Sequence, residues 1–451
     1  MRLTFLGATQ TVTGSKFLLS MGTKNILIDC GLFQGLKELR LRNWTKFPVE
    51  PSSIDSVILT HAHIDHTGYL PVLVKNGFKG KIYCSRATND LCKILLPDSG
   101  FLQEEEARFA NKYGFSKHKP ALPLYTREDA ELTLKQFKTM EFRKYKKFGE
   151  ETFISLIPAG HILGASFVEV KHYQDTLLFS GDLGRAQDPI MFPPAVIQAA
   201  DYLILEGTYG DRLHAKVNPL NELADVITKT VNRKGTLLIP SFAVGRAQHL
   251  LYLIYQLKNS HRIDNIPVYI DSPMAKNATD IFRHYTELHR LSEELAIKVC
   301  ESATYINSRE ESKALDQEPF PKIIISASGM IEGGRVLHHV KIFGPDERNT
   351  ILFTGYQAAG TRGAELIKGK RELRIFGETV PINAEVQSLS NMSAHADYEE
   401  TLQWLSHFNH PPRKVFITHA EPAAAQSLKE KIEQRYHWNC VVPEYLYSEL
   451  I

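Results

Sequence analysis

Thr60-His61-Ala62-His63-Ile64-Asp65-His66 follows the short apolar run Ser56-Val57-Ile58-Leu59, and this junction decides how the whole chain is read. A short apolar run that stops abruptly at polar residues reads as a buried strand. His61 and His63 are two apart, so on an extended segment both point the same way. Asp65 and His66 lie just beyond, where the chain is expected to turn into a helix over residues 67–76. That helix would carry Leu70, Leu73 and Val74 on one face. Imidazole and carboxylate are ordinary ligands of zinc and related divalent ions. Two histidines cannot complete one site, and four ligands so close together suit two adjacent ions. The plain alternative is a run of surface or capping polar residues, so the remaining ligands matter.

Three stretches offer them. His161 sits in Pro158-Ala159-Gly160-His161-Ile162-Leu163-Gly164-Ala165. Asp182 ends Leu177-Leu178-Phe179-Ser180-Gly181-Asp182, and His419 ends Val415-Phe416-Ile417-Thr418-His419. Ligands at strand ends can converge on one sheet edge. Singly, each also fits a buried, hydrogen-bonded polar residue; as a set they complete two sites. Asp29 ends Asn25-Ile26-Leu27-Ile28-Asp29 in the same way. Its expected role is to accept a ligand histidine's N–H and fix that ring.

The surroundings fit a globular enzyme. The chain has 451 residues, 43% hydrophobic and 23% charged, enough for two or three domains. A formal net charge of +2 excludes a global polycation, so a nucleic-acid substrate must be met by local cations and metals. The five cysteines (Cys30, Cys84, Cys92, Cys300, Cys440) form no C-x-x-C pair, which argues for free thiols in a reducing cytoplasm. The apolar stretch at the N-terminus is too short for a signal peptide, and no run approaches a bilayer span.

Strands are expected at residues 2–6, 16–20, 25–28 and 56–59. Residues 86–147 favour helix, with Leu91, Ile94 and Leu95 as a buried stripe. The Lys/Arg-rich part, 135–147, reads as a solvated helix face or a nucleic-acid contact. From about residue 220, apolar strands at 236–239, 267–270, 322–326 and 350–353 alternate with helices, the pattern of a parallel sheet with crossover helices. After about 368 short strands return, ending in a strand–helix–strand unit over 415–442. One domain interrupted by another accounts for this order.

In sum the motifs resemble the metallo-β-lactamase superfamily: Asp29, the histidine cluster, His161, Asp182 and His419 occur in its order. The resemblance narrows to the β-CASP nucleases, whose extra motifs match Glu206 in Leu203-Ile204-Leu205-Glu206-Gly207-Thr208, His395 in Met392-Ser393-Ala394-His395-Ala396-Asp397, and His419. Pro240-Ser241-Phe242-Ala243-Val244-Gly245-Arg246, Ser326-Ala327-Ser328-Gly329-Met330 and 355–363 are similar to further β-CASP segments. The pattern is similar to bacterial and archaeal relatives of the endonuclease subunit of the cleavage and polyadenylation specificity factor. The resemblance implies an α/β fold: an αββα sandwich (residues 1–208 and 368–451) with an inserted β-CASP domain, a parallel sheet flanked by helices, over 209–367. Substrate would lie in the cleft between them.

It implies two zinc ions, with manganese also accepted by such ligands. His61, His63 and His161 would hold one, and Asp65, His66 and His419 the other, with Asp182 bridging. The expected activity is endoribonucleolytic cleavage of single-stranded RNA, in RNA processing or decay, leaving 5′-phosphate and 3′-hydroxyl ends. Histidine rather than valine at 419 favours RNA over DNA. His395 would protonate the departing oxygen, with Glu206 orienting it. Ser241, Arg246, Ser328, Gly329 and Arg362 are candidate phosphate contacts. Ser241 is read as preceding a helix over 243–257, Ser328 and Gly329 as opening a helix through Arg335, and Arg362 as lying in a glycine-bounded loop. Ordinary capping and surface charge are the alternatives. His338 and His339 read as helix residues at the domain interface. Competing activities are a 5′ exonuclease or DNA-acting phosphodiesterase of the same fold, a binuclear hydrolase of small esters, and a non-cutting RNA-binding scaffold. The resemblance also allows a homodimer.

Overall fold

The computed structural model describes residues 1–451 except Phe115 and Phe320. The chain forms two compact units: Met1–Leu213 with His395–Ile451, and His214–Ala394.

The first unit is a sandwich of two seven-stranded sheets. One runs, in spatial order, Ser448–Leu450, Arg2–Phe5, Phe17–Met21, Lys24–Ile28, Ser56–Ile58, Lys81–Cys84, Phe137–Thr139. The other runs Cys440–Val441, Lys414–Thr418, Tyr202–Glu206, Asp175–Phe179, Ser166–His172, Thr152–Pro158, Lys146–Gly149. Alternating apolar residues such as Phe5, Phe17 and Ile28 meet Ile154, Phe179 and Phe416 in a core closed to water. Burying side chains of this kind contributes about 1.5–3 kcal/mol each. The outer faces carry helices, the longest being Arg86–Tyr113. Its Leu91 and Leu95 are buried, while Ile94 is half-buried.

Two local expectations change. The single helix over 67–76 is two short ones, Ile64–Thr67 and Leu70–Lys75, broken at Gly68–Tyr69. Residues 135–147 are not a helix face. They contribute to Phe137–Thr139 and Lys146–Gly149, the outermost strands of the two sheets. Lys146 and Lys147 lie over the rings of Tyr83 and Phe153. Lysines on edge strands discourage pairing with another chain, so the basic run has a structural cause.

The parallel neighbours Asp175–Phe179, Tyr202–Glu206 and Lys414–Thr418 end together, as do Lys24–Ile28 and Ser56–Ile58. All the candidate ligands except His161 leave these C-terminal ends, the edge where open parallel sheets gather ligands.

The second unit is built on a six-stranded sheet: Thr304–Tyr305, Val268–Asp271, Ile323–Ser326, Leu237–Pro240, Thr350–Phe353, Glu385–Ser388. Every pairing in it is parallel. It extends past the boundary expected at 367. The hairpin Glu372–Ile375 with Glu378–Pro381 buries Leu373, Ile375 and Val380 in this unit's core, and Glu385–Ser388 pairs with Thr350–Phe353.

His339 is buried within this unit. Its Nδ1 lies 2.8 Å from Asp316 and its Nε2 2.7 Å from Asp271. Asp271 also accepts from Ser312 and Arg335. This network replaces the expected interface role of His339; His338 is exposed beside Phe376.

Candidate metal centre

The first cluster forms where three segments meet. His61 Nε2 lies 3.1 Å from His63 Nδ1, and His161 Nε2 lies 3.3 Å from the same nitrogen. Asp182 Oδ2 is 3.3 Å from His61 Nε2 and 3.4 Å from His161 Nε2. The loop bearing His161 is pinned by Ser85 and Thr88, whose hydroxyls donate to the Gly164 carbonyl at 2.7 and 3.0 Å.

The second cluster shares Asp182. Its Oδ1 lies 3.2 Å from His66 Nε2 and 3.7 Å from His419 Nδ1. Asp65 Oδ2 is 3.2 Å from His419 Nε2 and 3.6 Å from His66 Nε2. One carboxylate therefore turns one oxygen to each set. Donor atoms of His61, His63, His161 and Asp182 lie within 4.8 Å of one another, as do those of Asp65, His66 and His419.

The backbone is bent to make this possible. Asp29 and His419, each directly after a strand, take φ of 58° and 48°. Left-handed backbone is unfavourable for such residues by roughly 1–3 kcal/mol. Gly181, at φ 50°, precedes Asp182, and a Cβ there would lie 2.7 Å from Thr60 Cβ.

Two carboxylate–threonine–histidine chains orient the rings. Asp29 accepts from Thr60 N, from Thr60 Oγ1 and from His66 Nδ1, each at 2.8 Å. With its proton given to Asp29, the Thr60 oxygen accepts from His61 Nδ1 at 3.0 Å. On the other side Thr208 Oγ1 donates to Glu206 Oε2 at 2.5 Å and accepts from His419 Nδ1 at 3.0 Å. In both chains Nδ1 carries the proton, so Nε2 presents its lone pair to the cluster. Sequence reasoning passed over Thr60 and Thr208. The available signal was their position, beside His61 and two residues after Glu206.

Glu206 is buried and also accepts from Leu183 N at 2.5 Å. His395 Nδ1 lies 3.1 and 3.2 Å from its two oxygens. His395 is 3.9 Å from Asp182 and its ring packs 4.5 Å from that of His161.

Electrostatics separate the groups. Burial pushes His61 down to about 3 and His63 to about 4, and holds His161 well below the usual range. Neutral imidazole is the metal-binding form. Burial would also lower His66, but Asp182, Asp29 and Asp65 outweigh it and raise it well above normal. Burial would raise Asp182, yet His419, His66 and His61 hold it well below normal. His395, despite its burial, is pushed up to about 9, chiefly by Glu206. The carboxylates that favour a proton on His66 favour a divalent cation for the same reason.

The donor set fits such ions. Asp182 Oδ1 is buried and has no hydrogen-bond partner among the described residues, a costly condition unless a cation satisfies it.

The candidate phosphate residues all lie in the second unit. Ser241 does not open a helix. The helix is Arg246–Asn259, with Gly245 at its N-cap, and the Ser241 hydroxyl donates to Phe242 O at 3.0 Å. Ser328 and Gly329 lie in a loop, because the next helix is Val336–Phe343 with Arg335 at its N-cap. Ser328 Oγ accepts from Glu332 N at 3.0 Å. Arg362 is the first residue of the helix Arg362–Ile367, and its guanidinium donates to the carbonyls of Ile331 and Arg374. Glycines shift these helix starts, since Gly245 and Gly334 take φ of 77° and 78°.

A two-sheet sandwich with ligands for two ions at one edge defines a metallo-β-lactamase-type hydrolase. The Metallo-beta-lactamase superfamily matches residues 17–224, the Beta-Casp domain 247–366, and the Zn-dependent metallo-hydrolase RNA specificity domain 379–443. "Ribonuclease TTHA0252" of Thermus thermophilus is 37% identical over 92% of this chain and 93% of its own length. "Transcription termination factor FttA" of Methanocaldococcus jannaschii is 30% identical over 98% of this chain and 70% of its own. A solved protein of unknown function from Enterococcus faecalis shares the fold, with a TM-score of 0.56 at 13% identity, over 100% of this chain and 99% of its own. The chain belongs to the β-CASP ribonuclease family, the RNA-acting branch of the metal-dependent hydrolases of this superfamily.

Proposed function

We propose that the chain is a zinc-dependent endoribonuclease that hydrolyses single-stranded RNA to 5′-phosphate and 3′-hydroxyl ends. The observation that carries this reading is the split carboxylate of Asp182, shared by two ligand sets beside the His395–Glu206 pair. His61, His63 and His161 would hold one ion, Asp65, His66 and His419 the other, and Asp182 both. Two divalent ions so held supply an activated water and neutralise charge on the phosphoryl group. The protein's own part is positioning and proton transfer. Asp29–Thr60 and Glu206–Thr208 fix the rings of His61 and His419. Glu206 accepts from His395 Nδ1, so Nε2 is the nitrogen that delivers a proton to the departing 3′ oxygen. Neutral His395 then regains its proton from solvent. Ser241, Arg246, Ser328, Gly329 and Arg362 of the second unit are assigned to phosphates of the RNA strand.

The test combines metal analysis with mapping of product ends on 5′-labelled and end-blocked RNA and DNA. Internal cuts in RNA bearing 5′-phosphates, with about two zinc ions per chain, support the reading. Cleavage of DNA but not RNA, or attack only from free 5′ ends, would sink it. No helix among the described residues is long and apolar enough to cross a membrane, and we assign the activity to the cytoplasm. The termination-factor relative favours a second reading, cleavage of nascent transcripts. Release of RNA from a stalled RNA polymerase by wild-type protein but not by the Asp182→Ala variant would identify it.

A further inference from the structure

Directly after Asp29 come residues 30–47, a loop interrupted by the short helix Lys37–Arg42, which supply no ligand to the metal centre. It is tied to the ligand-bearing segment by backbone bonds. Cys30 N donates to His66 O at 2.7 Å and Leu32 N to Ile64 O at 3.0 Å. From there it is held at two further points. Asn43 clamps Phe33 with a pair of bonds, accepting from Phe33 N at 3.0 Å and donating to Phe33 O at 2.8 Å. Phe47 is buried and stacks on Tyr69, three residues beyond His66, at 5.7 Å and 24°.

Between these anchors stands Trp44, with 59% of its surface exposed, beside Leu41 at 52% and Leu36 at 39%. The other two tryptophans, Trp404 and Trp438, are buried. Within residues 30–47 the charge is one-sided. Lys37, Arg40, Arg42 and Lys46 face a single acid, Glu38. Arg42 is occupied over the ring of Tyr445, and the other three cations are exposed.

Single exposed apolar residues are ordinary. An exposed indole on a segment anchored on both sides of it, with exposed cations close by in sequence, is a more specific arrangement. It offers an accessible flat π face, and its charge complements a polyanion rather than an apolar protein surface. Stacking on an aromatic face with phosphates on nearby cations is how single strands are gripped without sequence preference.

We propose that Trp44, with Lys37, Arg40 and Lys46, is a stacking platform for an unpaired base of the RNA strand that is cut at the metal centre. This rests on the ribonuclease reading above. The platform is separate from the ligands, so its failure is distinguishable from a failure of that reading.

The experiment uses the full-length protein and a fluorescein-labelled, unstructured oligoribonucleotide, with circular dichroism to establish that each variant is folded. Trp44→Ala is expected to raise KM and Kd for RNA about 5- to 100-fold with a smaller change in kcat, and Trp44→Phe to restore most of the affinity. RNA is expected to quench a solvent-exposed component of the tryptophan emission in wild type that is missing from Trp44→Phe. Replacing Lys37 and Arg40 by Gln should flatten the dependence of log Kd on log salt by roughly 1.4. Wild type that neither binds nor cuts RNA would overturn the ribonuclease reading and this one with it. Wild type that cuts RNA, with unchanged KM in Trp44→Ala and no quenching, would overturn the platform alone. A change in sedimentation of Trp44→Ala with unchanged RNA affinity would assign the patch to a protein interface and also overturn it.

Discussion

Gly31 has no room for a side chain. A Cβ there would lie 1.6 Å from Asp65 O and 2.6 Å from His66 N. Gly31→Ala should push the Asp65 segment away and weaken metal affinity roughly 10- to 100-fold, an effect of the size expected for supports of a ligand; titration with zinc in a chelator buffer measures it. Asp182→Ala should lose both metal and cleavage. His395→Ala should keep the metal and lose roughly 10²–10⁴-fold in single-turnover rate, the usual worth of a general acid. Full metal content and activity in Asp182→Ala would refute the sharing of its two oxygens. Thr208→Val tests the relay: metal binding at the Asp65 set should weaken while Glu206 still meets His395. The candidate ligands were legible because histidine and aspartate at strand ends are conspicuous. The threonines were not, since a hydroxyl two residues from a carboxylate looks like any turn residue until its partners are known.

At the level of elements, strands were read better than helix starts. Runs such as Lys414–Thr418 announce themselves by apolar content. The helices at Arg246 and Val336 begin later than their composition suggests, because glycine loops delay them. The basic stretch 135–147 misled in another way: lysines favour helix intrinsically, but here they line the outer strands of two sheets. Inside the second unit, the Asp271–His339–Asp316 network holds the strand Val268–Asp271 to the helix Val336–Phe343. Removing one partner of such a buried set destabilises by about 3–5 kcal/mol, so His339→Ala should unfold this unit early in urea. The pH dependence has a definite sign. His339 is raised, as burial is outweighed by Asp271 and Asp316. Its contribution is full below the ordinary histidine value of 6.5 and fades as pH rises through the higher folded value. Asp271 is lowered, as burial is outweighed by His339, Ser312 and Arg335. Its contribution is present above the ordinary 3.8 and fades as pH falls through the lower folded value. The wild-type advantage over His339→Ala in urea should shrink at alkaline pH.

Across the whole molecule, the insertion of one α/β unit into another was legible from the change in strand rhythm; the Beta-Casp match ends at 366, while the compact unit runs on to 394. Residues 368–394 have short strands like the sandwich, yet pack with the second unit, because pairing with Thr350–Phe353 decides membership. Removing the ions should act on one unit only. Ligand linkage at 1,000-fold excess over Kd contributes about 4 kcal/mol, so chelation should lower the unfolding temperature of the sandwich and leave that of residues 214–394 in place. Differential scanning calorimetry with and without chelator would read both. The arrangement of the second ligand set also bears on biosynthesis. Asp65 and His419 meet across 354 positions, and His419 N is held by Ala8 O, close to the other end of the chain. A ribosome that has translated as far as residue 410 carries a chain with one ligand set complete and the other lacking its last histidine. Such a nascent chain is expected to be inert toward RNA, including the message still threaded beside it. Stalled chains ending at 410, compared with released full-length protein, should show no cleavage until the strand Lys414–Thr418 and His419 after it are available.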